Sequence, residues 1–195
     1  MTEPLRLVVL VSGSGSNLQA LIDAGAATDS PYRVVAVGAD RDGTLGVERA
    51  VRAGIPTFVC RVPDYVTRAD WDLDLDRLVS DAGPDLVVSA GFMKVLGPAL
   101  LARHRVINTH PALLPSFPGA HGVRDAMAHG VRVTGCTCHW VDAGVDTGPI
   151  IDQRAVRVED DDTVESLHER IKVLEREMLV DVVQSLAVDR SWRHA

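Results

Sequence analysis

The segment Leu5-Arg-Leu-Val-Val-Leu-Val11 is apolar at every position but one. A strand with one solvated face alternates polar and apolar residues, whereas a run of this kind belongs to a strand covered on both faces. Such sheets are parallel, and their strands are joined by right-handed crossovers that place helices over both faces. The next hundred residues fit that pattern. Arg33–Ala39, Pro56–Cys60, Leu86–Ser89 and Val106–Asn108 read as further strands. Between them Leu18–Ala24, Val47–Ala53 and Arg68–Asp81 carry apolar residues at helical spacing, the last two closed by Gly54 and Gly83.

The remainder changes character. Val123–His129 reads as a helix ending at Gly130. Val133–Val141 alternates, placing Thr134, Cys136, Cys138 and Trp140 on one face and Val133, Gly135, Thr137, His139 and Val141 on the other. Ile150–Val158 is a further strand, and the two extend the sheet, with antiparallel pairing allowed at its edge. The last helix has Asp162 at N-cap and Glu165 at N3 as a capping box, followed by the apolar stripe Val164, Leu167, Ile171, Leu174, Met178 and Val182. No repeat, low-complexity tract or linker interrupts the chain. We expect one α/β domain over residues 1–195, built on a Rossmann-like, mostly parallel twisted sheet with helices on both faces.

Composition narrows the function. A net charge of −7 argues against a nucleic-acid or anionic membrane surface, and only Lys94 and Lys172 are lysines. No apolar run approaches the ~20 residues of a membrane helix, and Met1 to Arg6 lacks the pattern of a secretory signal. Three cysteines, Cys60, Cys136 and Cys138, form no disulfide framework, so a reduced, cytoplasmic protein is expected.

The residues that carry chemistry follow the strands. Val106–Asn108 leads into Asn108-Thr-His110 and then a loop stiffened by Pro111, Pro115 and Pro118. Two residues apart on an extended chain, Asn108 and His110 share a face. An amide can donate to a developing oxyanion and an imidazole can carry a proton, although a capping Asn and a structurally held His explain these residues equally well. Gly13-Ser-Gly-Ser-Asn17 sits between the first strand and helix, where backbone N–H groups and the helix dipole favour an anion. It is not a dinucleotide fingerprint, since the third glycine would fall at Leu18, and no Gly-Lys follows to make a P-loop. An ordinary glycine-rich turn is the alternative to a phosphate site. Ala90–Gly97 is an apolar loop at the carboxyl end of a strand, where open sheets bind flat ligands, or else cover for the core edge. Asp146 lies in a glycine-flanked loop, Val141–Pro149, as an active-site carboxylate or a turn residue.

Two metal readings fail on spacing. Cys136 and Cys138 share a strand face from which His139 points away, and no second ligand pair joins His110 in a finger-like pattern. The acidic run Glu159–Asp162 lacks a twelve-residue calcium loop and suits a helix N-terminus. On the last helix His168, Lys172 and Glu175 share a polar face, which is a solvated face unless it meets the glycine loop.

Together, Ser12-Gly-Ser-Gly-Ser-Asn-Leu-Gln19, Ala90-Gly-Phe-Met-Lys-Val-Leu96, Asn108-Thr-His-Pro-Ala-Leu-Leu-Pro115 and Asp142-Ala-Gly-Val-Asp-Thr-Gly-Pro149 resemble the folate-dependent phosphoribosylglycinamide formyltransferase family of purine biosynthesis. The resemblance runs from about Leu5 to about Leu186. It implies the formyltransferase fold, with a phosphate-binding half over about residues 1–100 and a folate and catalytic half over about 101–195. It implies that Gly15, Ser16, Asn17, Lys172 and Glu175 hold the phosphoribosyl substrate. Arg68, Met93, Lys94, Val95, Leu96, Asn108, Val141 and Asp142 would hold the folate, and Asn108, His110 and Asp146 would be catalytic. The implied reaction moves a formyl group from 10-formyltetrahydrofolate to the primary amine of phosphoribosylglycinamide. It needs no metal, nucleic acid or membrane, and takes place in a cytoplasmic enzyme able to form a homodimer. Formyltetrahydrofolate hydrolases resemble the same core but carry a histidine where this chain has Pro111, and a regulatory domain ahead. Methionyl-tRNA formyltransferases lack the Gly-Ser-Asn loop and place an arginine near Phe117-Pro118-Gly119. A non-catalytic nucleotide-binding module would need only the glycine loop. The chain departs from the family in a short connection between Pro98 and Asn108 and in ending soon after Leu186.

Overall fold

The computed structural model describes residues 3–194. In chain order its strands are β1 (Leu5–Val11), β2 (Tyr32–Ala39), β3 (Thr57–Val59), β4 (Leu86–Ser89), β5 (Val106–His110), β6 (Val133–Trp140) and β7 (Ile150–Arg157). Its α-helices are α1 (Ser16–Gly25), α2 (Leu45–Arg52), α3 (Arg68–Asp81), α4 (Pro98–Arg103), α5 (Gly122–His129) and α6 (Val164–Val188). The strands form one sheet in the order β3-β2-β1-β4-β5-β6-β7, with β1 to β5 parallel and β6 and β7 antiparallel at one end.

The uninterrupted apolar run of β1 is explained by its position. Leu5, Leu7, Val9 and Val11 enter a core with Leu18 and Leu21 of α1 and Leu167, Ile171, Met178 and Val182 of α6. Val8 and Leu10 enter a second core on the opposite face with Trp71, Leu75 and Val79 of α3 and Leu100 of α4. Each core removes apolar surface from water at about 25 cal/mol per Å², so a polar residue at either set of β1 positions would open one of the two layers.

The helix caps repeat one device. Thr67 and Asp70 form a capping box that starts α3 at Arg68, where the sequence places it. At α6 the box is Thr163 with Ser166, one residue later than the Asp162–Glu165 pair read from sequence. Thr163 is the residue in the extended conformation, while Asp162 supports the turn from outside, accepting from Glu159 N and Ser166 Oγ at 2.8 Å each. The connection after Pro98, which shows no helical pattern in the sequence, contains the short α4. Its N-terminal amides are satisfied by Asp72 of α3, which accepts from Gly97 N at 2.9 Å and Ala99 N at 2.7 Å. Pro98 at its first turn loses no bond by lacking an N–H.

β1 separates strands that continue outward in opposite directions, β2 then β3 on one side and β4 then β5 on the other. The carboxyl ends of β1 and β4 therefore frame a crevice at the switch point of the sheet, the place where open α/β sheets bind ligands. Strand β5 ends beside it and runs to His110, two residues beyond the Asn108 boundary expected from sequence. The extension comes from β6, which pairs Asn108 with His139, Thr109 with Cys138 and His110 with Thr137. Among the described residues no helix is long and apolar enough to cross a membrane.

Candidate active site

The crevice is a cleft of about 580 Å³. The sequence-selected residues Gly15, Ser16, Asn17, Met93–Leu96, Asn108, His110, Val141, Asp142, Asp146, Lys172 and Glu175 all line it. Arg68 does not. Its guanidinium stacks 4.2 Å above the Trp71 ring and donates to the Val95 carbonyl, so it braces the 90–97 loop from behind.

One end of the cleft is the loop joining β1 to α1. Gly15 is in the left-handed region at φ 66°, and a Cβ there would lie 2.6 Å from the Gly46 Cα, so both conformation and space require glycine. The Gly13 and Ser14 carbonyls accept from Gly46 N at 3.1 Å and Arg49 Nε at 2.9 Å, which ties the loop to α2. No side chain caps α1, so the amides of its first turn and the dipole remain for an anion.

The Asn17 side chain also ties the turn to the rest of the site. Its amide nitrogen donates to Thr109 Oγ1 at 3.2 Å and to Glu175 Oε2 at 3.1 Å, and its Oδ1 is buried without a partner. The side chain thus links α1 to α6 and holds the buried Glu175 carboxylate toward the cleft, joining the two halves of the chain. Lys172, one turn earlier on α6, pairs with Glu169 at 2.7 Å.

A second wall of the cleft is the loop after β4. Phe92 and Leu96 are buried, while Met93 and Val95 stay 63% and 58% exposed, an apolar edge open on its outer side. Ser12 Oγ accepts from Met93 N at 2.8 Å, and Lys94 Nζ lies 3.2 Å from Asp40, which also pairs with Arg41 at 2.9 Å. Burial alone would raise the Asp40 carboxyl; Arg41, Ser12 and Lys94 outweigh it and hold the group below the usual carboxylate range. Opposite, Asp142 Oδ1 accepts from Gly144 N at 3.0 Å and Thr147 Oγ1 at 2.6 Å, bracing the loop that carries Asp146.

The titratable groups lie at the end of β5 and in the 141–149 loop. His110 is 4% exposed; its Nε2 lies 2.8 Å from the Phe117 carbonyl and its Nδ1 lies 3.3 Å from Asp146 Oδ2. Both ring nitrogens face acceptors, so the ring is fully satisfied only when it carries both protons. Asp146 Oδ2 also accepts from Gly119 N at 2.8 Å, while Oδ1 lies 3.4 Å from His139 Nε2. Burial would raise the Asp146 carboxyl, but bonds from His139 and Gly119 and the nearby imidazoles hold it below the carboxylate range.

His139 is the residue that sequence reasoning missed. Its Nδ1 lies 2.9 Å from the Trp140 carbonyl, which makes Nδ1 the donor there. Its Nε2 lies 3.2 Å from the Asn108 amide nitrogen and 3.4 Å from Asp146 Oδ1. It can therefore accept from Asn108 or, when protonated, donate to Asp146. The available signal was its phase: His139 is out of step with Cys136 and Cys138, whose thiols lie in the α1–α6 core and are pushed up to about 12 by burial. Among the described residues, no group of three or more His, Cys, Asp or Glu side chains is placed to hold a metal ion.

Chemically, the cleft offers a turn with uncapped helix amides, an apolar edge, and an amide–imidazole–carboxylate group in a buried corner. The sequence matches the formyl transferase family over residues 5–183. It is 56% identical over 186 residues to a phosphoribosylglycinamide formyltransferase of Mycobacterium tuberculosis, covering 94% of this chain and 86% of that one. The fold matches a glycinamide ribonucleotide transformylase of Symbiobacterium toebii with a TM-score of 0.92 at 42% identity, covering 94% of this chain and 88% of that one. It also matches a phosphoribosylglycinamide formyltransferase of Bacillus halodurans with a TM-score of 0.91 at 36% identity, covering 95% and 97% respectively.

Proposed function

Because the chain belongs to the formyl transferase family, we propose that residues 1–195 form one formyltransferase domain that moves the formyl group of 10-formyltetrahydrofolate to the primary amine of phosphoribosylglycinamide. The observation that carries this reading is the meeting of Asn108, His110 and Asp146 between the Gly13–Asn17 turn and the apolar 92–96 edge, in one cleft. The substrate phosphate sits on the α1 amides with Lys172, Glu175 receives polar groups near the reacting amine, and Met93–Leu96, Val141 and Asp142 surround the folate ring. Arg68 acts on the folate through the loop it supports.

In the reaction the amine nitrogen attacks the formyl carbon and the carbonyl oxygen takes the electron pair. The Asn108 amide and the His110 ring stabilise that oxyanion, with Asp146 holding the ring and compensating its charge. His110 Nδ1 stays on Asp146, and its Nε2–H exchanges the Phe117 carbonyl for the oxyanion. The bond from the formyl carbon to the folate nitrogen then breaks. The amine loses one proton and the departing folate nitrogen gains one, so the transfer is balanced without an external acid. No step calls on a metal. A cytoplasmic location and homodimeric assembly belong to the same proposal.

The test is release of tetrahydrofolate from 10-formyltetrahydrofolate with and without phosphoribosylglycinamide. A transferase requires the amine. Release at the same rate without it would make the protein a hydrolase, and no release in either case would make it a binding module.

A further inference from the structure

We propose that His168 is a third anchor for the phosphate of the phosphoribosyl substrate, a cation that forms on binding; this rests on reading the Gly13–Asn17 turn as the phosphate subsite. Helix α6 turns Glu175, Lys172 and His168 into the cleft. At 1.5 Å per residue they span about 10 Å along its wall, roughly the length of a ribose phosphate. Asn17 and Thr109 hold Glu175 beside β5, and Lys172 and His168 follow on the same wall of the cleft that the Gly13–Asn17 turn lines.

His168 is half-buried, and neither ring nitrogen has a hydrogen-bond partner among the described residues. The other basic groups of the cleft are already engaged. Lys172 pairs with Glu169, and Arg41 and Lys94 both pair with the buried Asp40. A phosphate monoester carries about −1.5 to −2 charges near neutrality, and the turn meets it with neutral amides. Beside Lys172, whose charge is shared with Glu169, the His168 imidazole, without a hydrogen-bond partner among the described residues, completes the site.

The free ring is held below its usual range by burial and the Lys172 charge, against which Glu175 and Glu169 act. These groups all lie on α6. Of the elements packed on α6, α1 and the 12–17 turn present Leu18, Leu21, hydroxyls, amides and Asn17. Helix α5 carries Arg124, Asp125 and His129, and β7 carries Asp152 and Arg154, of which Arg154 pairs with Asp152 and Asp181. The charges acting on His168 are those on α6. A bound phosphate adds an opposite charge and an acceptor, so the ring takes up a proton from solvent as the ester binds.

The test is an NMR pH titration of the His168 ring in the wild-type protein, with and without ribose 5-phosphate, following the Gly15 and Ser16 amides in parallel. We expect both amides to shift and the His168 midpoint to rise. In His168→Gln the KM for phosphoribosylglycinamide should rise about tenfold, the scale of one charge-assisted hydrogen bond, with a far smaller change in kcat. It should also lose the wild-type increase of KM with pH. Shifted amides with an unmoved His168 midpoint and an unchanged KM would overturn the proposal. Unmoved amides would instead overturn the subsite reading beneath it.

Discussion

His110 Nδ1 lies 3.3 Å from Asp146 Oδ2, and the residues on either side of that ring, Asp146 at φ 56° and Phe117 at φ 55°, both hold left-handed backbone. Left-handed geometry costs a residue with a side chain roughly 1–2 kcal/mol, less for Asp than for Phe, and is kept where surroundings impose it. Here it aims a carboxylate at one ring nitrogen and a carbonyl at the other. The ring is thereby fixed by two partners from separate loops before any ligand arrives.

His139 extends this group through Asn108. Replacing it with Phe removes a side-chain partner of the Asn108 amide and one contact of Asp146. A lost buried hydrogen bond of about 1–1.5 kcal/mol corresponds to a fall in kcat of about tenfold. Steady-state kinetics with both substrates measures it, and unchanged kcat would reduce His139 to packing.

Gly122 opens α5 directly against the ring. A Cβ there would stand 2.9 Å from His110 Nε2 and 3.1 Å from the Phe117 carbonyl. Gly122→Ala should therefore displace the imidazole while improving helix propensity. We expect kcat to fall about 10²-fold, as for a misplaced catalytic group, with thermal stability nearly unchanged. A parallel loss of stability and activity would point to general misfolding.

Asp40 gives a pH signature. Its folded carboxyl lies below the ordinary carboxylate range, so folding favours the charged form. Its stabilising contribution is complete above the unfolded-state value and is lost as pH falls through the folded one. Asp40→Asn should be less stable than wild type at pH 7, and the gap should narrow below about pH 5. Urea unfolding at several pH values checks this; a gap constant with pH would contradict it.

The sequence made the fold legible wherever local chemistry decides. Helix α3 and strand β4 begin and end where sequence places them, because Thr67, Asp70 and the glycine after α3 act within a few residues. Legibility failed where the deciding partner is remote. The cap of α4 is Asp72, 25 residues before Gly97. Asn108 and His139 are 31 residues apart and meet only through the β5–β6 register. The side-chain amide of Asn17 is engaged by Glu175, 158 residues away, a pairing that no local motif announces. For the site, the motifs indicated which loops meet, and the fold decided which side chains remain free within them.

The most direct test of the account is turnover of Asp146→Asn with 10-formyltetrahydrofolate and phosphoribosylglycinamide. The substitution keeps size and hydrogen bonding but removes the charge between His110 and His139. If that carboxylate supports a charged His110 against the developing oxyanion, kcat should fall by roughly 10²–10⁴-fold while both KM values change far less. Near-normal kcat would contradict the account and leave Asp146 a turn residue.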